Sequence, residues 1–229
     1  DLDKTAPRAL VVLRPLKIVI ENYPADTTEE FDVPNHPANP EMGTRKVPFG
    51  RVIFIEQEDF MENAPPKYFR LRPGAEVRLR NAYFIKCEKV VKDASGKITE
   101  VHCSYDPATR GGNAPDGRKV KGTIHWVSEK HAVKAEVRLY DRLFAVPTPG
   151  KTEKGDEIDP LQQLNPTSLE TLTDALVEPA LANAAPEARY QFERLGYFCA
   201  DRRDTKPGKP VFNRTVTLRD SWVKEAGGR

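Results

Sequence analysis

The stretch EVRLRNAYFIKCEKVVKDASGKITEVHCSYD, residues 76–106, carries the pattern that decides the fold. It contains two runs rich in β-branched and aromatic residues, 76–93 and 98–106, and Ser95-Gly96 lies in the link between them. Runs of this kind are typical of strands, and a short link containing glycine is typical of a hairpin. The stretch therefore predicts a pair of antiparallel strands.

Runs of the same kind recur along the whole chain. They cover residues 10–23, 50–60, 121–128, 133–146, 190–201 and 211–222. The 20 prolines gather in the connections between them, such as 33–43 and 145–160. Because these runs are short and are bounded by turn residues, they predict an all-β protein, and 229 residues suffice for one or two modest cores.

Two segments have features of short helices. The first is EQEDFMENAPP (56–66), and the second is NPTSLETLTDALVEPAL (165–181), which has three leucines at helical spacing. The threonine and valine content of the second segment, together with Pro179, would suit an extended conformation equally well. Its conformation therefore remains open at this point.

Charge and cysteine content restrict the possible partners and the compartment. The 36 Lys and Arg residues nearly balance the 34 Asp and Glu residues, so a nucleic-acid-binding surface would have to be local. Cys87, Cys103 and Cys199 are far apart in the chain and cannot all pair with one another, which fits a reducing compartment. We therefore expect a cytoplasmic protein.

The chain has neither a membrane-spanning pattern nor a signal peptide. No apolar run approaches the roughly 20 residues that a bilayer-spanning helix needs, so no membrane association is expected. The first residues, DLDKTAPRAL, are polar and lack an initiator methionine. We expect a fragment or a processed product.

Motifs of catalysis and metal binding are missing from the sequence. It contains no GxxxxGK[ST], no GxGxxG, no HExxH and no CxxC. His102 and Cys103 are neighbours in a predicted strand, so their side chains point to opposite faces and cannot share a metal ion. The chain is therefore interpreted as a binding module that holds no metal or cofactor.

Basic and aromatic residues are concentrated in KYFRLRPGAEVRLRNAYF, residues 67–84. In a strand, Arg78 and Arg80 project from the face opposite Val77 and Leu79. One interpretation is a solvated face on which Glu76 pairs with an arginine, an arrangement that contributes little to stability. The other is a surface that binds RNA phosphates and splayed bases, for which arginine and aromatic side chains are suited.

Several long strings resemble one family. They are PNHPANPEMGTRKVPF (34–49), EVRLRNAYFIK (76–86), RKVKGTIHWVS (118–128), RLYDRLF (138–144), YQFERLGYFCAD (190–201) and PVFNRTVTLRDSW (210–222). In these strings the chain closely resembles the C-terminal anticodon-binding region of bacterial glutaminyl-tRNA synthetases. The resemblance implies two ribosomal-protein-L25-like antiparallel β-barrels, the distal one inserted into the proximal one, with residues 1–62 and 166–229 in the proximal barrel and 63–165 in the distal barrel. It also favours an extended conformation for 168–179.

The resemblance implies a set of RNA-binding residues. Around the middle anticodon base they are Arg8, Gln191 and Arg194; near the third base, Arg70; and near the first base, Arg78 and Arg80. Lys67 and Phe69 also belong to this set, although the family pattern has Gln at the position of Lys67 and Lys at that of Phe69. Ala38 departs from the family pattern too, which has Asn there. We expect Phe69 either to stack on a base or to pack within the protein.

The resemblance also implies partners. They are the anticodon loop of the glutamine tRNA and an N-terminal catalytic domain that uses ATP and magnesium to ligate glutamine. This chain is expected to be inactive alone, to hold no cofactor and to be a monomer. Three alternatives remain: an L25-like barrel that binds ribosomal RNA by shape, the anticodon module of an archaeal or eukaryotic-type glutamyl-tRNA synthetase, and a docking domain without RNA contact.

Overall fold

The computed structural model describes residues 1–218, and strands dominate its secondary structure. The described residues contain one α-helix, α1 (Leu2–Thr5), and short 3-10 helices at Pro40–Met42, Gln57–Asp59, Pro107–Thr109, Pro160–Gln163 and Pro179–Leu181. The strands are β1 (Arg8–Ala9), β2 (Val11–Val12), β3 (Pro15–Ile20), β4 (Glu29–Pro34), β5 (Thr44–Phe49), β6 (Val52–Glu56), β7 (Glu76–Leu79), β8 (Phe84–Lys92), β9 (Ile98–Asp106), β10 (Thr123–Ile124), β11 (Val127–Ser128), β12 (Val133–Tyr140), β13 (Leu169–Val177), β14 (Arg189–Phe192), β15 (Gly196–Ala200) and β16 (Val211–Thr217). None of the helices within residues 1–218 has the length and apolar composition that a bilayer crossing requires.

The strands within residues 1–218 form two seven-stranded sheets and one two-stranded ribbon. The proximal sheet has the order β1-β14-β15-β16-β12-β13-β2, and the distal sheet has the order β10-β7-β8-β9-β3-β6-β11. The ribbon consists of β4 and β5. The all-β prediction and the insertion of one barrel into the other are confirmed, since every distal strand lies between β2 and β12 in the chain.

Each sheet is barrel-like because its two edge strands are close neighbours in the chain. In the proximal sheet only Leu10 separates β1 from β2, and in the distal sheet only His125 and Trp126 separate β10 from β11. Most pairs are antiparallel, but each sheet also contains two parallel pairs, β1/β14 and β12/β16 in one and β7/β10 and β3/β9 in the other. The short edge strands leave little open edge for pairing with other chains.

The strands of the two sheets do not follow the ranges 1–62, 63–165 and 166–229 that the resemblance implied. β3 and β6 belong to the distal sheet although they fall within 1–62, and β12 belongs to the proximal sheet although it falls within 63–165. The change of sheet therefore occurs between β2 and β3 and again between β11 and β12. The last residues of the range 166–229, from 219 onward, lie outside the described part.

Tertiary pairing decides the two segments that resemble helices. In 56–66 the only helical structure is the 3-10 turn Gln57–Asp59. Within 165–181, β13 is a strand that pairs with β12, and Ala175 and Val177 are buried in strand alternation. Cross-strand pairing thus outweighs the helical spacing of the leucines, as the family resemblance implied.

Aromatic residues form the centres of the two cores. In the distal core the rings of Phe49 and Trp126 meet edge to face with centroids 5.0 Å apart. In the proximal core Phe192 stacks on Phe198 at 4.0 Å, and Phe212 meets Phe192 edge to face at 5.1 Å. These rings fix the positions of the turns that follow them, because rotating a buried ring would open voids in a close-packed interior.

Candidate nucleic-acid interface

A buried carboxylate, that of Asp59, lies where the two sheets meet. Arg194, in the turn between β14 and β15, donates from Nη1 to Asp59 Oδ2 at 2.6 Å and from Nη2 to Oδ1 at 2.8 Å. Arg70 approaches the same carboxylate from the distal side, with Nε 3.4 Å from Oδ1. Because only 1% of Asp59 is exposed, this charge needs both partners, and it brings two of the predicted RNA-binding arginines together.

The turn that carries Arg194 also contacts Arg80. Arg80 Nη2 lies 3.4 Å from Glu193 Oε1, and the Arg80 side chain remains 42% exposed. The Trp126 indole donates to the Arg80 backbone carbonyl at 2.9 Å. A buried aromatic ring therefore anchors the backbone of Arg80 while its guanidinium group stays accessible beside the proximal turn.

Arg8 and Gln191 lie directly opposite each other in the parallel pair of β1 and β14. Arg8 donates to Asp3 Oδ1 at 2.7 Å, and Tyr197 donates to the same oxygen at 3.0 Å. The hydrogen bonds from Tyr197 and then Arg8 lower the pKa of Asp3, so this carboxylate stays ionised and fixes Arg8. The Gln191 amide, by contrast, has no hydrogen-bond partner within residues 1–218.

An open cavity of about 460 Å³ lies on the distal side of this region. Its lining includes Tyr68, Phe69, Arg70, Arg72, Glu76, Lys119, Lys121 and Gly122. Phe69 is 41% exposed, and Lys121 Nζ lies 4.8 Å from the centroid of its ring. The cavity thus combines an accessible aromatic face with four cationic side chains, the chemistry that binds a single-stranded nucleotide.

Gly122 permits the two walls of this cavity to approach each other. A Cβ atom at this position would lie 1.9 Å from the carbonyl oxygen of Phe69. Only glycine allows such an approach without a shift of the backbone. The chain at 119–122 is therefore held against the Phe69 segment by backbone contact.

Arg78 and Arg80 do not converge on one partner. The Arg78 guanidinium group lies over the Phe84 ring at 5.3 Å, and its buried Nε has no hydrogen-bond partner among the described atoms. Glu76 does not pair with either arginine; it accepts from Arg118 at 3.0 and 3.1 Å. The interpretation in which Glu76 restrains Arg78 or Arg80 is therefore wrong, because its partner Arg118 comes from a distant loop that strand alternation does not reveal.

The remaining predicted site residue is Lys67, which lies exposed in the turn that precedes Phe69. The sequence indicated no specific role for Arg72, or for Lys119 and Lys121 of the basic turn 116–122. The closeness of this turn to Phe69 follows from the parallel pairing of β10 with β7, which no local pattern indicates. The structure brings Arg70 and Arg194 together at Asp59, which we call the seam, and places Arg80 beside the turn that carries Arg194. Gln191 lies opposite Arg8 on β14, and Phe69 lines the adjoining cavity.

Within residues 1–218 no group of three or more His, Cys, Asp or Glu side chains is arranged to hold a metal ion. The described carboxylates of the seam, Asp59 and Glu193, are each engaged with arginine. The arrangement therefore presents cations, an amide and an aromatic ring to a ligand. These are the groups that bind phosphates and base edges.

Comparisons with known proteins agree with this chemistry. Two family models match, at residues 6–106 and 123–201, and both are described as "tRNA synthetases class I (E and Q), anti-codon binding domain". Together they cover most of the chain, including both sides of the seam.

Curated relatives are similar over almost the whole chain. Glutamine--tRNA ligase of Nitrobacter hamburgensis is 59% identical over 225 residues, which are 98% of this chain and 39% of the relative. Glutamine--tRNA ligase of Pseudomonas putida is 57% identical over 222 residues, which are 97% of this chain and 38% of the relative. The chain thus spans about two fifths of the length of these relatives. With both models and this identity, it belongs to the anticodon-binding domain family of the class I (E and Q) tRNA synthetases.

Proposed function

We propose that this chain recognises the anticodon loop of the glutamine tRNA as the anticodon-binding module of a glutamine--tRNA ligase. The observation that carries the proposal is the seam itself, where Asp59 joins Arg194 of the proximal sheet to Arg70 of the distal sheet. A splayed loop needs separate sites for its bases, and the seam with its flanking cavity supplies several. The identity to glutamine--tRNA ligases supports glutamine as the amino acid.

Each predicted residue has a distinct role in this proposal. Gln191 reads the edge of the middle base, because its amide is unpaired in the described structure and supplies both a donor and an acceptor. Arg80 binds at the first base. Arg70 and Phe69 serve the third base, with Phe69 offering its exposed ring for stacking.

Other predicted residues position the loop. Arg8 is fixed by its ion pair with Asp3, and Arg194 by its ion pair with Asp59. The exposed Lys67 adds positive charge beside Phe69. Arg78, stacked on Phe84, is directed to a phosphate near the first base. These contacts supply affinity that depends on salt and fix the register of the loop.

The proposal extends to the whole enzyme. The parent protein ligates glutamine to its tRNA, and ATP and magnesium act in a catalytic domain attached to this module. We propose that the module by itself is inactive in ligation and works as a monomer in the cytoplasm. The three free cysteines of the described chain suit a reducing compartment.

The test is a fluorescence-anisotropy titration with a labelled glutamine-tRNA anticodon stem-loop, beside one whose middle anticodon base is changed. We expect a preference of at least about tenfold, or 1.4 kcal/mol, for the cognate loop. We also expect a salt slope of about −0.7 per neutralised phosphate. Equal affinity for both loops would contradict the proposal and favour an L25-like barrel that reads RNA by shape.

Variants separate base reading from electrostatic attraction. Gln191→Ala should lose affinity for the cognate loop and reduce its preference over the altered loop, by about 1–3 kcal/mol if its amide reads the base. Arg142→Ala is the control, because Arg142 is 84% exposed and its nearest carboxylate is 3.9 Å away. If both variants weaken the two loops equally, Gln191 does not read the base.

A further inference from the structure

Cys87 and Cys103 lie directly opposite each other on the antiparallel strands β8 and β9. The hairpin at Ser95-Gly96 folds one strand onto the other, and its register places the two cysteines face to face. Both side chains are buried, with 1% and 0% of their surface exposed. Two of the three cysteines are therefore neighbours in the distal core.

Backbone hydrogen bonds show which kind of cross-strand pair they form. Cys87 donates its N–H to Ala75 at 3.2 Å and accepts from the N–H of Gly74 at 2.9 Å, so its polar groups point away from β9. The carbonyl of Cys103 accepts from Glu21 at 2.8 Å, on the other side of β9. The two cysteines thus form a non-hydrogen-bonded pair, the type with Cα atoms about 4.5 Å apart and the closest side chains. This spacing lies within the Cα range of disulfides, about 4.4–6.8 Å.

The two thiols are chemically unequal. A hydrogen bond from the Cys103 thiol lowers the pKa of Cys87, while the same interaction and burial raise the pKa of Cys103. Cys87 also lies beside the register shift of β8 and next to the short segment at Pro73, whereas Cys103 lies on β9 between β8 and β3. An oxidant that enters through a local opening at this segment therefore meets Cys87 first, and its thiolate is the nucleophile. Cys103 is then placed to attack the product.

We propose that Cys87 and Cys103 form a dithiol site that hydroperoxides oxidise to an intramolecular disulfide. In the first step the Cys87 thiolate attacks the peroxide and the O–O bond breaks. Cys87 sulfenic acid forms, and the other oxygen takes up one proton and leaves as water from hydrogen peroxide or as an alcohol from an organic hydroperoxide. In the second step the Cys103 sulfur attacks the Cys87 sulfur, and the hydroxyl group leaves as water with the thiol proton. The two sulfurs lose two electrons in total, and the peroxide gains them.

Access to the buried pair requires local opening. A short segment covers Cys87 through the bridge between Pro73 and Cys87, and the register of β8 and β9 shifts between Cys87 and Lys89. Local opening of such a segment exposes the groups beneath it without unfolding the whole chain. Hydroperoxides are small enough to enter through such an opening.

The first experiment maps the disulfide in the folded chain. The Cys199→Ser variant removes the third thiol, and the folded protein is treated with hydrogen peroxide, quenched with catalase, alkylated and digested for mass spectrometry. We expect a linked peptide pair joining Cys87 to Cys103 that disappears after reduction. Full alkylation of both cysteines after peroxide, or a linked pair only when the protein is first unfolded in urea, would overturn the proposal.

A second experiment tests the order of the two steps. In Cys103→Ala the resolving thiol is absent, so a sulfenic acid at Cys87 should accumulate and be trapped by dimedone. In Cys87→Ala we expect at least tenfold less dimedone adduct at Cys103. Equal labelling of the two variants would contradict Cys87 as the attacking thiol. The disulfide map itself needs neither alanine variant and is independent of RNA binding.

Discussion

Asp59 is the residue at which binding and stability are most closely connected. Its carboxylate accepts two hydrogen bonds from Arg194 and lies 3.4 Å from Arg70, with almost no exposure to solvent. Removing one member of a buried ion pair leaves the other charges without compensation. The arginines that the proposed function assigns to the anticodon loop thus depend on a residue that contacts no RNA in that proposal.

We expect Asp59→Ala to lower the free energy of unfolding by about 3–5 kcal/mol, because two partly buried arginines lose the buried carboxylate that joins them. Urea unfolding followed by fluorescence measures this. The control is Asp174→Ala, because the Asp174 carboxylate is 78% exposed and pairs with Lys134 at 3.2 Å. This variant should lose less than about 1 kcal/mol of the free energy of unfolding. Similar losses for the two variants would show that the seam does not depend on Asp59.

At the scale of single residues, the structure shows which predicted site residues lie together and which side chains pair with one another. Gln191 and Arg8 were assigned to one base, and the structure places them opposite each other. Glu76 was expected to restrain Arg78 or Arg80, but it pairs with Arg118. The difference arises because a side chain's partner depends on which loop folds over its strand, and that is a tertiary property.

Among the elements, the short strand β10 and the residues before it depend on one glycine. Gly122 has no side chain, so its backbone can lie against the Phe69 carbonyl. This contact sets how closely the basic turn 116–122 approaches the exposed Phe69 ring. The N–H of Arg78 donates to the Gly122 carbonyl at 2.9 Å, which ties this segment to β7 as well. The cavity is therefore a product of backbone packing.

Gly122→Ala should lower the free energy of unfolding by about 1–3 kcal/mol, which is the usual cost of overpacking a close contact. It should also weaken binding of the cognate stem-loop, since Phe69 and Lys121 would move apart. Gly50→Ala is the matched control, because its added Cβ would meet nothing nearer than 3.7 Å. Unfolding midpoints and anisotropy titrations of both variants are the measurements. Unchanged values for Gly122→Ala would contradict the close contact.

The element β13 shows where a local pattern misleads. Leucines at helical spacing in 165–181 favoured a helix, but the segment pairs with β12 along its length and with β2 at its end. A strand that supplies hydrogen bonds to neighbours on both sides gains more than an isolated helical turn does. Only the long-range pairing partners determine that outcome.

For the whole molecule, the ionisable groups determine how stability changes with acid. Hydrogen bonds and cationic neighbours lower the pKa of many carboxyl groups in the folded chain: Asp3, Glu21, Glu88, Asp93, Glu100, Asp106, Asp116 and Asp201. Burial raises the pKa of Glu178 and acts in the opposite sense. Groups with a lowered pKa bind protons more readily in the unfolded chain than in the folded chain. Their contribution to the free energy of unfolding is therefore present above about pH 5 and is lost as the pH falls.

We therefore expect the free energy of unfolding to decrease steadily from about pH 5 to pH 2. Asp201→Asn should make this decrease shallower, because the hydrogen bond from Asn213 is the first cause of the lowered pKa of Asp201. Urea unfolding at a series of pH values measures both slopes. An identical slope in the variant would show that Asp201 has the same proton affinity in the folded and unfolded chain.

The sequence by itself determined that this protein is all-β, because alternation of apolar residues and turn chemistry are local properties that each strand carries with it. Long strings shared with one family also predicted the insertion of one barrel into the other and the residues that the proposed function assigns to RNA. Only the tertiary structure decided that β3 and β6 join the distal sheet, that Asp59 holds Arg194 and Arg70, and that Cys87 faces Cys103. These contacts join residues distant in the chain, so their energies depend on how the sheets close and not on any local pattern.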